Sequence, residues 1–319
     1  MKIDLSLSDK KHMRIAYGKA LVELGKENEK IVVLDADLSE STMTCMFAKE
    51  FPDRFFNVGC AEQNLMGMSA GFALEGKTVF TSGFAMFGCG RAWEQIRNTI
   101  AYDRLNVKIV LTHAGLTVGK DGSSHQIIED ISLMRVIPGM HVIVPADAAE
   151  TEAIVKAVVK YHGPVYIRLS REKTPVIFTD YEVDLHKPIT LMDGSDVTLF
   201  ACGVMVAEAI QAAEQLKKED IKARVINVNT IKPLHADTIV KAARETGALV
   251  SAEEHSIYGG LGSAIAEVLA EKYPAPMKRI GVIDRFGKSG DPYDLMTEYN
   301  ITAKDIVLAA KEVIGRKKH

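Results

Sequence analysis

Residue types able to do acid–base chemistry gather in a few short stretches of the chain. Glu62 heads "GCAEQNLMGMSAGFALEG", and no charged residue follows from Leu65 to Leu74. A lone carboxyl at the mouth of a segment built for burial has two explanations. Peptide dipoles favour an acidic side chain in the first turn of any helix, or the carboxyl has a chemical task there. "THAGLTVGKDGSSHQ" sets His113, Asp121 and His125 around a Gly-rich loop. A single His is usually a surface or satisfied residue, but two of them flanking Asp121 suit proton transfer at a bound ligand. "DADLSEST" supplies Asp35, Asp37 and Ser41, and "SRE" supplies Arg171. In "SGFAMFGCG" two bulky rings, Phe84 and Phe87, stand among small residues.

The elements that would position these groups can be read from the pattern. Short β-branched runs at Ile31–Leu34, Phe55–Val58, Thr78–Thr81, Val107–Leu111, His141–Val144 and Val165–Leu169 alternate with helical patterns. The helical patterns are Lys11–Leu24, Met43–Glu50, Glu62–Leu74, Arg91–Tyr102, Ile127–Val136 and Ala148–Tyr161, broken by Gly25, Pro52, Gly76 and Gly163. Such alternation predicts a parallel sheet covered on both faces. In open parallel sheets ligands bind beyond the carboxyl ends of the strands, and every group named above follows such an end. Pro175–Asp196 is less periodic and reads as a linker. A second, smaller α/β set follows it, with strands at Val197–Ala201, Ala223–Val228, Ala248–Ala252 and Lys278–Ile283. Its helices are expected at Val206–Leu216, Ala236–Glu245, Gly262–Glu271 and Thr302–Ile314. The fold class is therefore α/β, two doubly wound domains with mostly parallel sheets, spanning 1–180 and 190–319. The second set's strand ends lack a comparable polar collection, apart from Glu254 and His255, so that domain is expected to serve assembly.

Composition closes off other classes. The 319 residues are 47% hydrophobic and carry 39 basic against 42 acidic side chains, for a net charge of −3. That balance does not suggest nucleic acid. No apolar run is long enough for a bilayer, and the N-terminus lacks a signal-peptide core. Four cysteines without CxxC spacing suit free thiols in a reducing cytoplasm. The basic end, Arg316 to His319, reads as a solvated tail. "GLTVGKD" is one residue short of a phosphate-binding P-loop, and "GGLGSAI" lacks the third glycine of a dinucleotide fingerprint.

With those residues in view, the chain resembles the C-terminal half of transketolase, close to the separate C-terminal subunit found where that enzyme is split into two chains. "DADLSEST", "NVGCAEQNLMGMSAGFA" and "THAGLTVGKDGSSHQIIEDISLMR" carry the likeness, supported by "YIRLSREKTP". The resemblance implies a pyrimidine-binding domain followed by a transketolase C-terminal domain. The cofactor it implies is thiamine diphosphate, with its pyrimidine half bound here. It implies that Glu62 hydrogen-bonds N1′ of the aminopyrimidine, where an apolar setting would help it keep its proton. The cofactor's 4′-imino nitrogen could then take the proton from thiazolium C2, the position that attacks the ketose. Phe84 and Phe87 match the stacking aromatics, Phe87 the better of the two, and Asp37 matches a further cofactor residue. His113 and His125 match the histidines near the donor's reacting carbons. Asp121 matches the residue that recognises the acceptor's C2 hydroxyl. Arg14, Ser41 and Arg171 match the grip on the sugar phosphate, a role that suits a bidentate guanidinium, although an ion pair of Arg171 with Glu172 is the ordinary alternative.

Two departures accompany the likeness. Where the family usually offers a Tyr after the second Phe, this chain has Gly90 and Arg91. No "GDG" with a distal Asn-Asn is present, and "SGDPYD" is not that motif. Mg2+ and the diphosphate are therefore expected on an N-terminal partner chain, with this chain inactive alone and two copies of each chain in the assembly. A 1-deoxyxylulose-5-phosphate synthase-like activity, a 2-oxoacid dehydrogenase E1 β-type subunit and a non-catalytic scaffold are the competing readings. The "GKDGSSH" loop and the phosphate grip favour sugar phosphates, and an intact Glu62 argues against a scaffold.

Overall fold

The computed structural model describes residues 2–179, 181 and 183–317. Lys318 and His319 of the basic tail lie outside the described residues, as do Met1 and Asp180, the expected limits of the first domain.

The β-branched runs of the first half assemble into one sheet. Its seven strands lie in the order Thr230–Lys232, His141–Ile143, Val165–Arg168, Val107–Thr112, Thr78–Phe84, Ile31–Asp35 and Phe55–Asn57. All neighbours are parallel except Thr230–Lys232, which runs antiparallel to His141–Ile143. Ile31–Asp35, Val107–Thr112 and Val165–Arg168 are buried at every residue, as strands covered on both faces must be. Each fully buried aliphatic side chain contributes about 1.5–3 kcal/mol. Register is therefore fixed strongly, and with it the place where each strand's loop emerges.

The sequence reading holds strand by strand in this sheet; short strands at Lys2–Ile3, Lys10–His12, Lys173–Pro175 and Phe178–Thr179 and a helix at Pro292–Glu298 were not expected, and three larger differences stand beside them. The expected linker contains a strand, Ile189–Met192, paired antiparallel to Ala223–Asn227 at the edge of the second sheet. Thr230–Lys232, from the second half of the chain, extends the first sheet, where a separate domain was expected. The helix expected at Arg91–Tyr102 is instead a chain of π turns, Met86–Arg91 and Ile96–Ala101, joined at Trp93–Gln95.

The second sheet runs Ile189–Met192, Ala223–Asn227, Val197–Ala201, Leu249–Ser256 and Met277–Val282. One apolar core passes without interruption from Leu65, Ile96 and Met134 of the first half to Phe200, Leu249 and Ile265 of the second. No helix among the described residues is long and apolar enough to cross a membrane.

Candidate active site

Glu62 owes its position to the turn before it. Gly59 takes φ +75° and Ala61 an extended entry, so the helix Glu62–Leu74 starts with Glu62 itself. Leu65, Met66, Ser69 and Ala70 form its buried face, and the Ser69 hydroxyl is satisfied by the Leu65 carbonyl at 2.7 Å. Glu62 is 4% exposed. Its partner is Arg91, whose Nη1 donates to Oε2 at 2.8 Å. The Arg91 guanidinium also lies over the Phe87 ring, 4.8 Å from the centroid.

The π turn explains that meeting. Bonding from i to i+5 brings positions four apart nearly over one another, and Phe87 and Arg91 are four apart. Gly88 sits tight against the sheet: a methyl there would come within 2.7 Å of the Leu111 side chain.

From Phe87 a row of ring contacts continues. The Phe87 edge meets His125 at 5.2 Å, His125 meets Phe84 at 6.4 Å, and Phe84 stacks on His113 at 3.8 Å and 27°. Glu62, Phe87, His125, Phe84 and His113, expected from three separate stretches that follow strand ends, thus form one continuous chain through Arg91. Phe84 is already committed to His113, which leaves Phe87 as the ring beside Glu62.

His113 is buried, takes φ +60° and pairs through Nδ1 with the Thr112 hydroxyl at 2.8 Å. Its pKa is pushed down to about 3, first by burial and then by the positive charges of Arg14 and Arg171. The ring is therefore neutral at any physiological pH. Arg14 is itself shifted downward by burial and by Arg171. Two guanidiniums that repel each other make a place for an anion. Arg14 Nη1 is steadied by the backbone carbonyl of Ser41, so Ser41 enters through its main chain. Arg171 Nη1 reaches the Val118 carbonyl at 3.0 Å and Glu172 at 3.4 Å, while Nη2 stands 4.0 Å from Asp121. The pair with Glu172 is thus present, alongside the approach to Asp121. Asp37 stands apart from the ring row. It is exposed, takes φ +63° and is clasped by Asn57, whose Oδ1 accepts the Asp37 amide at 3.0 Å and whose Nδ2 donates to Oδ1 at 2.8 Å. Asp35 is a structural residue: buried, it accepts from the Leu38 amide and from the Thr42 and Thr44 hydroxyls.

A match to the transketolase pyrimidine-binding domain model covers residues 9–176, and one to the transketolase C-terminal domain model covers residues 187–306. This chain belongs to the transketolase family. It is 49% identical to a Methanocaldococcus jannaschii protein described as a transketolase C-terminal section, over 97% of both chains. It is 43% identical to a 6-deoxy-6-sulfo-D-fructose transketolase subunit of a Clostridium strain, over 96% of this chain and 95% of that one. Among solved structures, one described as a split-gene transketolase, inactive β4 tetramer, superposes with a TM-score of 0.91 at 54% identity, covering 96% of this chain and 99% of that one.

The transketolase-family reading left three participants unassigned. Arg91 stood only as a break in the family pattern. Gln126 stands at the end of the "THAGLTVGKDGSSHQ" stretch without an assigned role, and Glu254 was singled out, with His255, only as polar at a strand end of the second set. Among the described residues no group of three or more His, Cys, Asp or Glu side chains is placed to hold a metal.

Proposed function

We propose that this chain is the C-terminal subunit of a two-chain transketolase. Paired with an N-terminal chain that holds the diphosphate and Mg2+, it would move a two-carbon ketol unit from a ketose phosphate to an aldose phosphate. The observation that carries this is the unbroken row from buried Glu62 through Phe87, His125 and Phe84 to His113, ending beside the paired cations Arg14 and Arg171.

The pocket fits an aminopyrimidine. Arg91 already acts as a stand-in: a flat group with N–H donors, placed over Phe87 and bonded to Glu62. An aminopyrimidine ring needs the same two contacts, so Glu62 and Phe87 would hold it and Arg91, 53% exposed, would swing aside. When bound, thiamine diphosphate supplies the carbanion chemistry needed to break a bond next to a sugar carbonyl. Glu62 would hydrogen-bond the ring nitrogen from its buried position at the head of the helix. Neutral His113 donates or accepts a hydrogen bond at the sugar's carbonyl or hydroxyl oxygen without adding charge. His125, nearer solvent, can exchange a proton with the same region. Asp121 accepts from an acceptor hydroxyl, and Arg14 with Arg171 takes the phosphate.

Dependence on a second chain is supported by the relatives, which this chain matches over nearly their whole length and of which one was solved as an inactive tetramer. The same neighbour supports self-association of this chain. Its four unpaired thiols suit a reducing cytoplasm. The test is reconstitution: this chain, a partner chain carrying "GDG" and Asn-Asn, thiamine diphosphate and Mg2+, assayed with ketose and aldose phosphates. Ketol transfer is expected only in the mixture, and turnover by this chain alone would refute the proposal.

A further inference from the structure

The Leu249–Ser256 strand of the second sheet ends inside the first domain. Glu254, near that end, is 2% exposed. Its Oε1 accepts the Thr117 backbone N–H at 2.5 Å. Its carboxyl fills the space over Gly115, where a methyl would lie 2.3 Å from the carboxyl carbon. Gly115 also takes φ +87°, so conformation and room both require glycine there.

Glu254 is held from behind. Arg168 Nη2 donates to its backbone carbonyl at 2.9 Å, and Arg168 Nη1 stands 3.9 Å from Oε2. Arg168 Nε is bonded in turn to Asp130 at 2.7 Å. Two residues further on, the Ser256 amide donates to the Ile128 carbonyl at 2.7 Å.

The loop that Glu254 grips consists of short 3-10 turns over Leu116–Asp121, broken by a kink at Gly119. Gly115, Gly119 and Gly122 all have positive φ. Contacts from outside the loop fix how these turns sit on the rest of the chain. Besides Glu254, buried Gln126 shares its Nε2 among the carbonyls of Leu116, Gly119 and Lys288. The Ser289 hydroxyl donates to the Lys120 carbonyl at 2.7 Å. The same loop starts two residues after His113, offers the Val118 carbonyl to Arg171 and carries Asp121 at its end.

We propose that Glu254 is a positioning residue: from the second domain it clasps the Gly115–Asp121 loop and so sets Asp121 and Arg171 in register with His113. The catalytic consequence rests on the ketol-transfer proposal, while the clasp does not. The second domain, expected only to serve assembly, thereby becomes part of the substrate site's support.

Removing the carboxylate strands the Thr117 N–H and leaves Asp130 as the acidic partner of Arg168. Glu254→Gln keeps the shape and an acceptor oxygen and removes the charge. The experiment is amide hydrogen exchange on the full chain, with steady-state kinetics on the reconstituted pair. In Glu254→Ala, exchange at Thr117–Gly122 should rise about tenfold or more while the strands keep parent rates. KM for the aldose acceptor should rise about tenfold with a smaller change in kcat, and Glu254→Gln should recover most of both. If Glu254→Ala fails to fold, Gly115→Ala, which drives a methyl into the carboxylate, should loosen the same amides. Parent exchange rates in the loop of the folded variant would overturn the clasp. A loosened loop with unchanged KM and kcat would overturn the positioning role of Glu254, whereas a parent pair that shows the clasp by exchange but no ketol transfer would count against the proposed activity instead.

Discussion

The carboxyl edges of the two sheets both end in polar residues, yet they use them in opposite ways. At the first edge the groups stay open: Asp37 and Asp121 are exposed, Arg171 is a third exposed, and Glu62 meets only a half-exposed arginine. At the second edge Glu253, Glu254 and His255 are all buried and bonded within the chain. Glu253 accepts from the Leu261 and Gly262 amides at 2.7 and 2.8 Å, Glu254 accepts from Thr117, and His255 Nδ1 donates to the Ser256 carbonyl at 2.7 Å. Polar strand ends mark a ligand site where they stay open to solvent. Where they are buried against the rest of the chain, they mark a joint.

That contrast is sharpest at Glu62. Glu62→Ala should lower turnover of the reconstituted enzyme by about 10³-fold or more with the melting temperature nearly unchanged, since its partner Arg91 can turn to water. Activity within a few-fold of the parent would remove Glu62 from the chemistry. At the joint the effect should reverse. Asp130→Ala strips the buried Arg168 of its 2.7 Å partner, and breaking such a pair costs about 3–5 kcal/mol. Thermal or urea unfolding should show that loss, and a near-neutral result would mean Glu254 alone suffices for Arg168.

These two positions also show what the sequence could and could not disclose. Glu62–Leu74 was legible at both bounds, because Glu62 heads a run free of charge from Leu65 to Leu74 and Gly76 breaks it. The parallel strands were legible for the same reason: continuous β-branched runs ended by polar loops. Ile189–Met192 was not, because an edge strand flanked by Pro188 and Gly194 buries little and resembles a linker. The π turns escaped because their apolar spacing differs little from that of an ordinary helix. The joint was invisible for a topological reason: Arg168 meets Asp130 and Glu254 across 38 and 86 residues of chain. No local pattern records such a meeting.

A smaller effect is expected at the far end of the open edge. Arg171→Ala should raise KM for phosphorylated sugars about tenfold or more, and leave unphosphorylated ones nearly unaffected, because it removes ground-state binding. Equal effects on both would detach Arg171 from the phosphate. The smallest effect concerns His113. Its folded pKa, about 3, lies below the ordinary value of 6.5. The unfolded chain therefore binds the extra proton first, and stability is full above pH 6.5 and drains away as pH falls toward 3. NMR of the His113 ring should show the neutral form throughout pH 8 to 5. A midpoint near 6.5 would place the ring in water.

The measurement that bears most directly on the half-site is a structure of this chain with its partner and thiamine diphosphate. We expect a Glu62 carboxyl oxygen within about 2.6–3.0 Å of the ring nitrogen N1′, with Phe87 against the ring and Arg91 displaced. Glu62 still paired with Arg91, and the aminopyrimidine bound elsewhere, would contradict the account.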